Sequence, residues 1–262
     1  MSNENELRLL SPEKVKLHGQ ERIFATVNRT LAPGDGMYKG NDAYYLEAGA
    51  SALRLVHHAL AAGRRNVGQV RHVLDYACGF GRVLRWLQAG FPLARIVAAD
   101  ANPKAVNAVK EVFDVDAFVL DLSLREEIGG EFDLIWVGSL ATHLPENQLR
   151  AVIVRLGSLL SPRGLVVATT HGPYVANRIA SGEKAYGLDP KGIAGLLSAY
   201  EHSGYGFSAY PKQQSYGIAV CTASKLMSLI ETANLCAVLY QERGWMSHQD
   251  CVAIAKTLGR FI

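Results

Sequence analysis

The sequence predicts an α/β fold: a doubly wound, mostly parallel sheet of seven strands that ends in an antiparallel strand pair. Three observations predict it. Val73-Leu74-Asp75-Tyr76 is an apolar run carrying an aspartate; Ala77-Cys78-Gly79-Phe80-Gly81 follows, and then a segment of helical spacing, so the stretch reads as strand, tight turn and helix. Apolar runs and helical segments then alternate as far as Thr170, the rhythm of right-handed parallel crossovers. Two last apolar runs near the C-terminus lie close enough in sequence to pair antiparallel.

Composition sets the frame for these elements. A chain of 262 residues, 49% hydrophobic, has material for one large α/β domain or two small ones. The net charge of +3 is small and the basic residues are scattered, Arg64-Arg65 being the densest pair, so no stripe suggests nucleic acid. Cys78, Cys221, Cys236 and Cys251 lack ligand spacing and read as reduced thiols, with no metal site expected. Neither an apolar run of about 18 residues nor a cationic, cleavable leader stands out, so a cytoplasmic protein without a membrane partner is expected. Oligomeric state is not legible.

Residues 1–40 form a polar arm in which Leu7, Leu9 and Leu10 can anchor a short element, with a hinge cluster at Ala32-Pro33-Gly34-Asp35-Gly36. Residues 41–262 read as a single domain. Asp42 is placed to cap a helix whose apolar positions run Tyr45, Leu46, Ala50, Leu53, Val56, His57 and Leu60, and Gly63 ends it. After the opening strand and a helix beginning near Gly81, a second strand spans Ala94 to Asp100. Asn102 as N-cap and Pro103 at the first helical position start the next helix. A third strand runs from Ala117 to Leu120, and a fourth from Phe132 to Val137 is almost wholly apolar, as a strand covered on both faces should be. A helix from Pro145-Glu146 to about Leu160, a turn at Ser161-Pro162-Arg163-Gly164 and a fifth strand from Leu165 to Thr170 complete the rhythm. The rhythm breaks over about 172–220, rich in glycine, proline and tyrosine, which reads as an inserted cap with one helix near Ile193 to Glu201. A helix from Ser224 to Asn234 precedes the final strands, Leu235 to Gln241 and Asp250 to Lys256, joined by a Gly244-Trp245 turn.

A glycine-rich turn between strand and helix suits several nucleotides, and its neighbours discriminate among them. Leu84 stands where a dinucleotide fingerprint needs a small residue for close helix packing. Asp75, on the approach to the turn, is unfavourable beside a pyrophosphate, which wants N–H donors and a positive helix end. It suits a cationic ligand, and S-adenosylmethionine carries an ammonium, a sulfonium and no phosphate.

Val-Leu-Asp-Tyr-Ala-Cys-Gly-Phe-Gly-Arg resembles the first motif of class I S-adenosylmethionine-dependent methyltransferases in its Cys-Gly-x-Gly-Arg variant, and the resemblance extends over roughly residues 40 to 171. It implies a Rossmann-like fold and S-adenosyl-L-methionine as cofactor, cradled by Asp75, Ala77, Cys78, Gly79 and Gly81. Ala77 replaces the motif's first glycine, and because alanine disfavours positive φ a slightly altered turn is expected. By the same resemblance Asp100, with Ala101 after it, holds the ribose hydroxyls, and Asp121 and Leu122 meet the adenine. Val137, Gly138 and Ser139 line the methionine end, Asp133 is structural, and Tyr45 is either a cover over the cofactor or a core aromatic.

Methyl transfer to a hydroxyl or a protonated amine calls for a base, and histidine titrates in the right range. His143, in a Thr-His-Leu-Pro sequence that also resembles the family, and His171 follow the fourth and fifth strands, at the sheet edge where open α/β sheets place their sites. His248 reads as support for the last strand, and the tyrosines of the insertion as candidates for stacking on a ring or sugar. The expected function is methyl transfer to a small-molecule acceptor, possible acceptors including a sugar or another metabolite hydroxyl. An NAD(P)-dependent oxidoreductase and a non-catalytic S-adenosylmethionine-binding scaffold are the alternatives.

Overall fold

The computed structural model describes residues 7–121, 128–213 and 215–257. The seven-stranded sheet has the order β10-β11-β7-β6-β3-β4-β5, where β3 is His72–Tyr76, β4 Arg95–Asp100, β5 Asp116–Val119, β6 Phe132–Val137, β7 Leu160–Thr170, β10 Leu235–Trp245 and β11 Gln249–Lys256. From β3 the chain moves outward to β4 and β5 and then returns to pair β6 on the other side of β3, all parallel. That reversal makes the fold doubly wound, with its switch point between β3 and β6. The predicted seven strands and their antiparallel C-terminal pair are present. The chain forms two compact units, Met1–Trp136 and Val137–Ile262.

In the first unit, β1 (Arg8–Leu9) pairs antiparallel with β2 (Thr30–Leu31) around the short α1 (Glu21–Phe24). Of Leu7, Leu9 and Leu10, Leu10 is buried, whereas Leu7 and Leu9 are exposed. Helix α2 (Asp42–Ala62) is capped by Asn41, whose side-chain oxygen accepts the Tyr44 N–H at 3.0 Å, rather than by Asp42. The Asp42 carboxylate instead takes the Arg8 guanidinium at 2.9 Å, the Tyr38 hydroxyl at 2.6 Å and the Ser11 N–H at 2.8 Å, which ties the arm to the helix. Helix α3 (Leu84–Gly90) starts three residues later than predicted and packs so closely on α2 that a Cβ on Gly49 would lie 2.2 Å from Trp86. Helix α4 (Pro103–Phe113) has the expected start: Asn102 accepts the Lys104 N–H at 3.0 Å, and Pro103 opens the first turn. Asp133 is structural as expected, its carboxylate accepting the Arg71 and His72 N–H groups at 2.9 and 3.1 Å.

In the second unit, α5 (Glu146–Leu159) runs directly into β7, so the predicted turn at Ser161–Gly164 is extended strand. Pro162 explains this, because it biases Ser161 toward extended backbone. Beyond β7 the insertion holds α6 (Pro173–Ala180), α7 (Pro190–Ser203), and an antiparallel pair that the sequence reading missed, β8 (Tyr205–Ala209) with β9 (Gly217–Cys221). Val175, Ala176, Ile179, Leu188, Leu196, Ile218 and Val220 bury one another, so the insertion has an apolar core of its own. Helix α8 (Ala223–Thr232) leads into β10. The turn between β10 and β11 is not Gly244-Trp245, which belongs to the strand. It is formed by Met246, Ser247 and His248, the first two at φ 52° and 53°, so the sharp reversal comes two residues later.

Candidate functional site

Strand β3 delivers Asp75 into the first unit's interior, where it is 1% exposed. Its Oδ2 has no hydrogen-bond partner among the described residues. Burial, and then the Asp100 charge, push its carboxyl up to about 8. An orphaned buried carboxyl is costly unless a partner arrives. The turn that follows has Ala77, Gly79 and Gly81 all at positive φ, of 64°, 54° and 85°. The expectation that Ala77 would alter the turn is thereby corrected: alanine adopts the left-handed geometry. Backbone bonds over-determine it, because Cys78 N–H donates to the Ala99 carbonyl at 3.0 Å and Gly79 N–H to Asp100 Oδ2 at 2.7 Å. At Gly81 a Cβ would meet the Phe113 ring at 2.3 Å, so close packing as well as φ demands glycine there.

Asp100 ends β4 with each carboxylate oxygen accepting one backbone N–H, from Gly79 and, at 2.8 Å, from Asn102. Each oxygen keeps a further lone pair for a hydroxyl donor. The exposed Ala101 follows it. The Cys78 thiol is buried and held well above its usual range, by burial first and then by Asp75 and Asp100, so it is no nucleophile. Asp121 is exposed just beyond β5, after Leu120, whose N–H donates to the Asp100 carbonyl at 2.9 Å; Leu122 lies outside the described residues. Tyr45 is packed in the core with its hydroxyl donating to Asp35 and its ring 5.3 Å from the Arg85 guanidinium.

The second unit gathers another set. Val137 is buried at the end of β6, and Ser139 follows it at φ 62°. The Ser139 N–H donates to Thr169 Oγ1 at 2.8 Å, and Gln249 bridges the two side chains, its Nε2 donating to Ser139 Oγ at 2.9 Å and its Oε1 accepting from Thr169 at 2.6 Å. His143 and His171 are both held by β9. His143 Nδ1 lies 2.6 Å from the Gly217 carbonyl and His171 Nδ1 3.2 Å from that of Ala219, two residues along the same strand. The same strand's N–H groups at Gly217, Ala219 and Cys221 donate to the carbonyls of His143, Thr142 and His171 at 3.1, 2.8 and 2.9 Å. A carbonyl only accepts, so each Nδ1 carries the proton and each Nε2 the lone pair. His171 is pulled down to about 3 by burial, then by His248 and His143, and is neutral at pH 7. His143 is lowered by burial too, and its ring stacks on Tyr216 at 4.6 Å.

Sequence reasoning missed β9, Gln249 and the placement of His248, which faces His171 at 5.6 Å and Tyr186 at 5.9 Å. The apolar run Ile218-Ala219-Val220-Cys221 before the capping Thr222 was the available signal for the strand.

A family profile described as a methyltransferase domain matches residues 73–164. Among solved structures, an S-adenosylmethionine-dependent methyltransferase from Clostridium acetobutylicum aligns over 79% of this chain and 92% of its own, at 10% identity and a TM-score of 0.57. DesVI from Streptomyces venezuelae aligns over 84% of this chain and all of its own, at 13% identity and a TM-score of 0.57. CalS10, an amino pentose methyltransferase from Micromonospora echinaspora solved with S-adenosylmethionine, aligns over 80% and 92%, at 14% identity and a TM-score of 0.56. No curated protein sequence matches. These likenesses establish the fold, and the domain match covers the turn built around Asp75. An orphaned buried carboxyl beside that turn fits a cationic ligand and opposes a dinucleotide's pyrophosphate. The chain thus shares the fold of these methyltransferases, and over residues 73–164 it matches a methyltransferase domain.

Proposed function

We propose that the protein moves a methyl group from S-adenosylmethionine to a hydroxyl of a small polar molecule, a sugar being the first class to test, with residues 172–220 shaping the acceptor site. The observation that carries the donor half is Asp75, a buried carboxyl with an unpartnered oxygen beside a turn of three left-handed residues. Bound S-adenosylmethionine supplies an electrophilic methyl group on a sulfonium and a neutral thioether leaving group. Asp75 meets the ligand's ammonium, and Asp100 accepts from the ribose hydroxyls. Asp121 accepts from the adenine amine, and Val137 and Ser139 flank the methionine end.

On the acceptor side the chain's work is to place one oxygen about 3 Å from the methyl carbon and to take its proton. His143 and His171 both present a basic Nε2, because β9 holds their Nδ1 protons. His171, at about 3, is too weak a base to keep a proton and orients the acceptor by taking a hydrogen bond from a neighbouring hydroxyl, leaving the reacting hydroxyl's proton to His143. His143, less buried, receives the proton. The sugar preference draws on the amino pentose methyltransferase among the fold's relatives.

Calorimetric titration with S-adenosylhomocysteine tests the donor half. The native protein should bind, and Asp75→Ala and Asp100→Ala should each lose at least about tenfold in affinity, about 1.4 kcal/mol. A folded native protein that does not bind would sink the proposal. For the acceptor half, a screen of sugars and hydroxylated metabolites with S-adenosylhomocysteine release as readout should yield a substrate. With it, His143→Gln should lower kcat by about a hundredfold and leave the donor's KM in place.

A further inference from the structure

The second unit holds a cluster of rings and cations next to His171 that the donor chemistry does not use. Tyr174, Tyr186 and His248 pack against one another, His248 stacked on Tyr186 at 5.9 Å and edge-on to Tyr174 at 5.9 Å, with Tyr186 also 5.7 Å from His171. The Tyr186 hydroxyl lies 3.4 Å from His248 Nε2. The Arg243 guanidinium sits 4.1 Å over the Tyr174 ring, and that of Arg178 is 5.6 Å from it.

The cations are only partly matched. Glu183 pairs with Arg178 at 2.7 Å. Asp250 is buried and committed elsewhere, accepting the Tyr240 hydroxyl at 2.6 Å and the Arg243 N–H at 2.8 Å. Arg243 and Lys184 form no ion pair among the described residues. His248 feels the cations: burial, and then Arg178, Lys184 and Arg243, hold it below its usual range, so both histidines of the cluster are neutral.

Two bulky members of the cluster are also strained. Tyr186 and Arg243 adopt left-handed backbone at φ 52° and 51°. Non-glycine residues take that geometry in only a few per cent of cases, and here it falls near the end of β10 and in the loop before α7. Arg243 is fixed twice over, its N–H held by Asp250 and its Nε donating to the Ser247 carbonyl at 3.0 Å. The guanidinium is thus held over Tyr174, and among the described residues no carboxylate forms an ion pair with it.

We propose that this cluster is the acceptor's docking site and that it takes an anionic group, a carboxylate or a phosphate, held by Arg243 with Lys184 beside the Tyr174, Tyr186 and His248 rings. The assignment rests on the methyl-transfer reading and narrows its substrate class to acidic hydroxyl compounds, such as a sugar acid or a sugar phosphate.

The test uses the full chain labelled with 15N in its histidine rings, titrated at constant pH and ionic strength with sodium acetate, with sodium phosphate and with sodium chloride as control. The His248 and His171 signals should shift saturably with acetate, with phosphate or with both. The responding anion identifies the carboxylate or the phosphate as the recognised group. Arg243→Gln should weaken that binding at least about tenfold and Lys184→Gln by a smaller factor, both variants still binding S-adenosylhomocysteine like the native chain. No saturable shift beyond the chloride control overturns the proposal, as does an Arg243→Gln protein that binds the anion unchanged. Absence of S-adenosylhomocysteine binding by the native chain would instead strike the methyl-transfer reading, and the anion titration would stand by itself.

Discussion

At the scale of single residues, Ala77 and Asp75 are both held at a cost, one in backbone conformation and the other in burial. A left-handed alanine costs about 1–2 kcal/mol, and glycine at the same place relieves that cost while adding about 0.5–1 kcal/mol of unfolded-state freedom. Ala77→Gly should therefore leave the protein as stable as before or raise its urea midpoint slightly; a clear loss would show that the left-handed geometry is not strained. Asp75, at about 8, is largely protonated at pH 7 before a ligand arrives. A bound ammonium favours the carboxylate, so binding must expel that proton. Calorimetry of S-adenosylhomocysteine binding at pH 7, repeated in buffers of different ionisation enthalpy, should show release approaching one proton, and Asp75→Asn should abolish it. Uptake of a proton, or none exchanged, would contradict the assignment.

At the scale of elements, close approach between helices in the first unit and a stapled strand in the second do most of the positioning. The α2–α3 contact leaves no room at Gly49, where an added Cβ would lie 2.2 Å from Trp86 and 2.6 Å from the Arg82 carbonyl. The second neighbour is backbone, so the helices must part. Gly49→Ala should cost about 1–3 kcal/mol in a denaturant titration, whereas an unchanged midpoint would mean that the contact yields freely. The α4 start and the ends of β4 and β6 were legible in the sequence because their signals are local: Asn102-Pro103 caps a helix, and an apolar run stops at Asp100 or Val137. β9 was not legible, because a five-residue strand opening with glycine acquires its role from the distant backbone of Thr142, His143 and His171. The turn at Met246-Ser247 hid for a different reason: both residues are left-handed, yet neither is a glycine or asparagine that would announce it.

At the scale of the whole molecule, the mostly parallel sheet with its antiparallel end pair and the glycine turn were readable from alternation and spacing, whereas the surroundings of His143 and His171 came from an insertion with no periodic signature. Two buried groups also give stability a pH dependence in opposite senses. Asp75 has a folded value of about 8 against 3.8 for a free side chain, so its contribution is complete below about 4 and is lost as pH rises through 8. His171 has a folded value of about 3 against 6.5, so its contribution is complete above 6.5 and is lost as pH falls through 3. Between pH 4 and 6.5 the two slopes oppose each other; from 6.5 to 8 only Asp75 acts, at up to about 1.4 kcal/mol per pH unit. Ligand-free protein should thus lose stability from pH 6.5 to 8 in urea titrations, and Asp75→Asn should remove much of that decline. A native protein that gains stability across that range relative to Asp75→Asn would refute the account.

The strand that steadies the two imidazoles does so through amide and carbonyl groups, which every amino acid but proline brings unchanged. The register of the two imidazoles therefore does not depend on which side chains β9 carries, so long as the strand itself forms. Proline at Ala219 or Cys221 would remove a donor of that register, Gly217 has room for no side chain because a Cβ there would lie 2.0 Å from the Ser208 carbonyl oxygen, and Ile218 and Val220 are fixed by their place in the insertion's core.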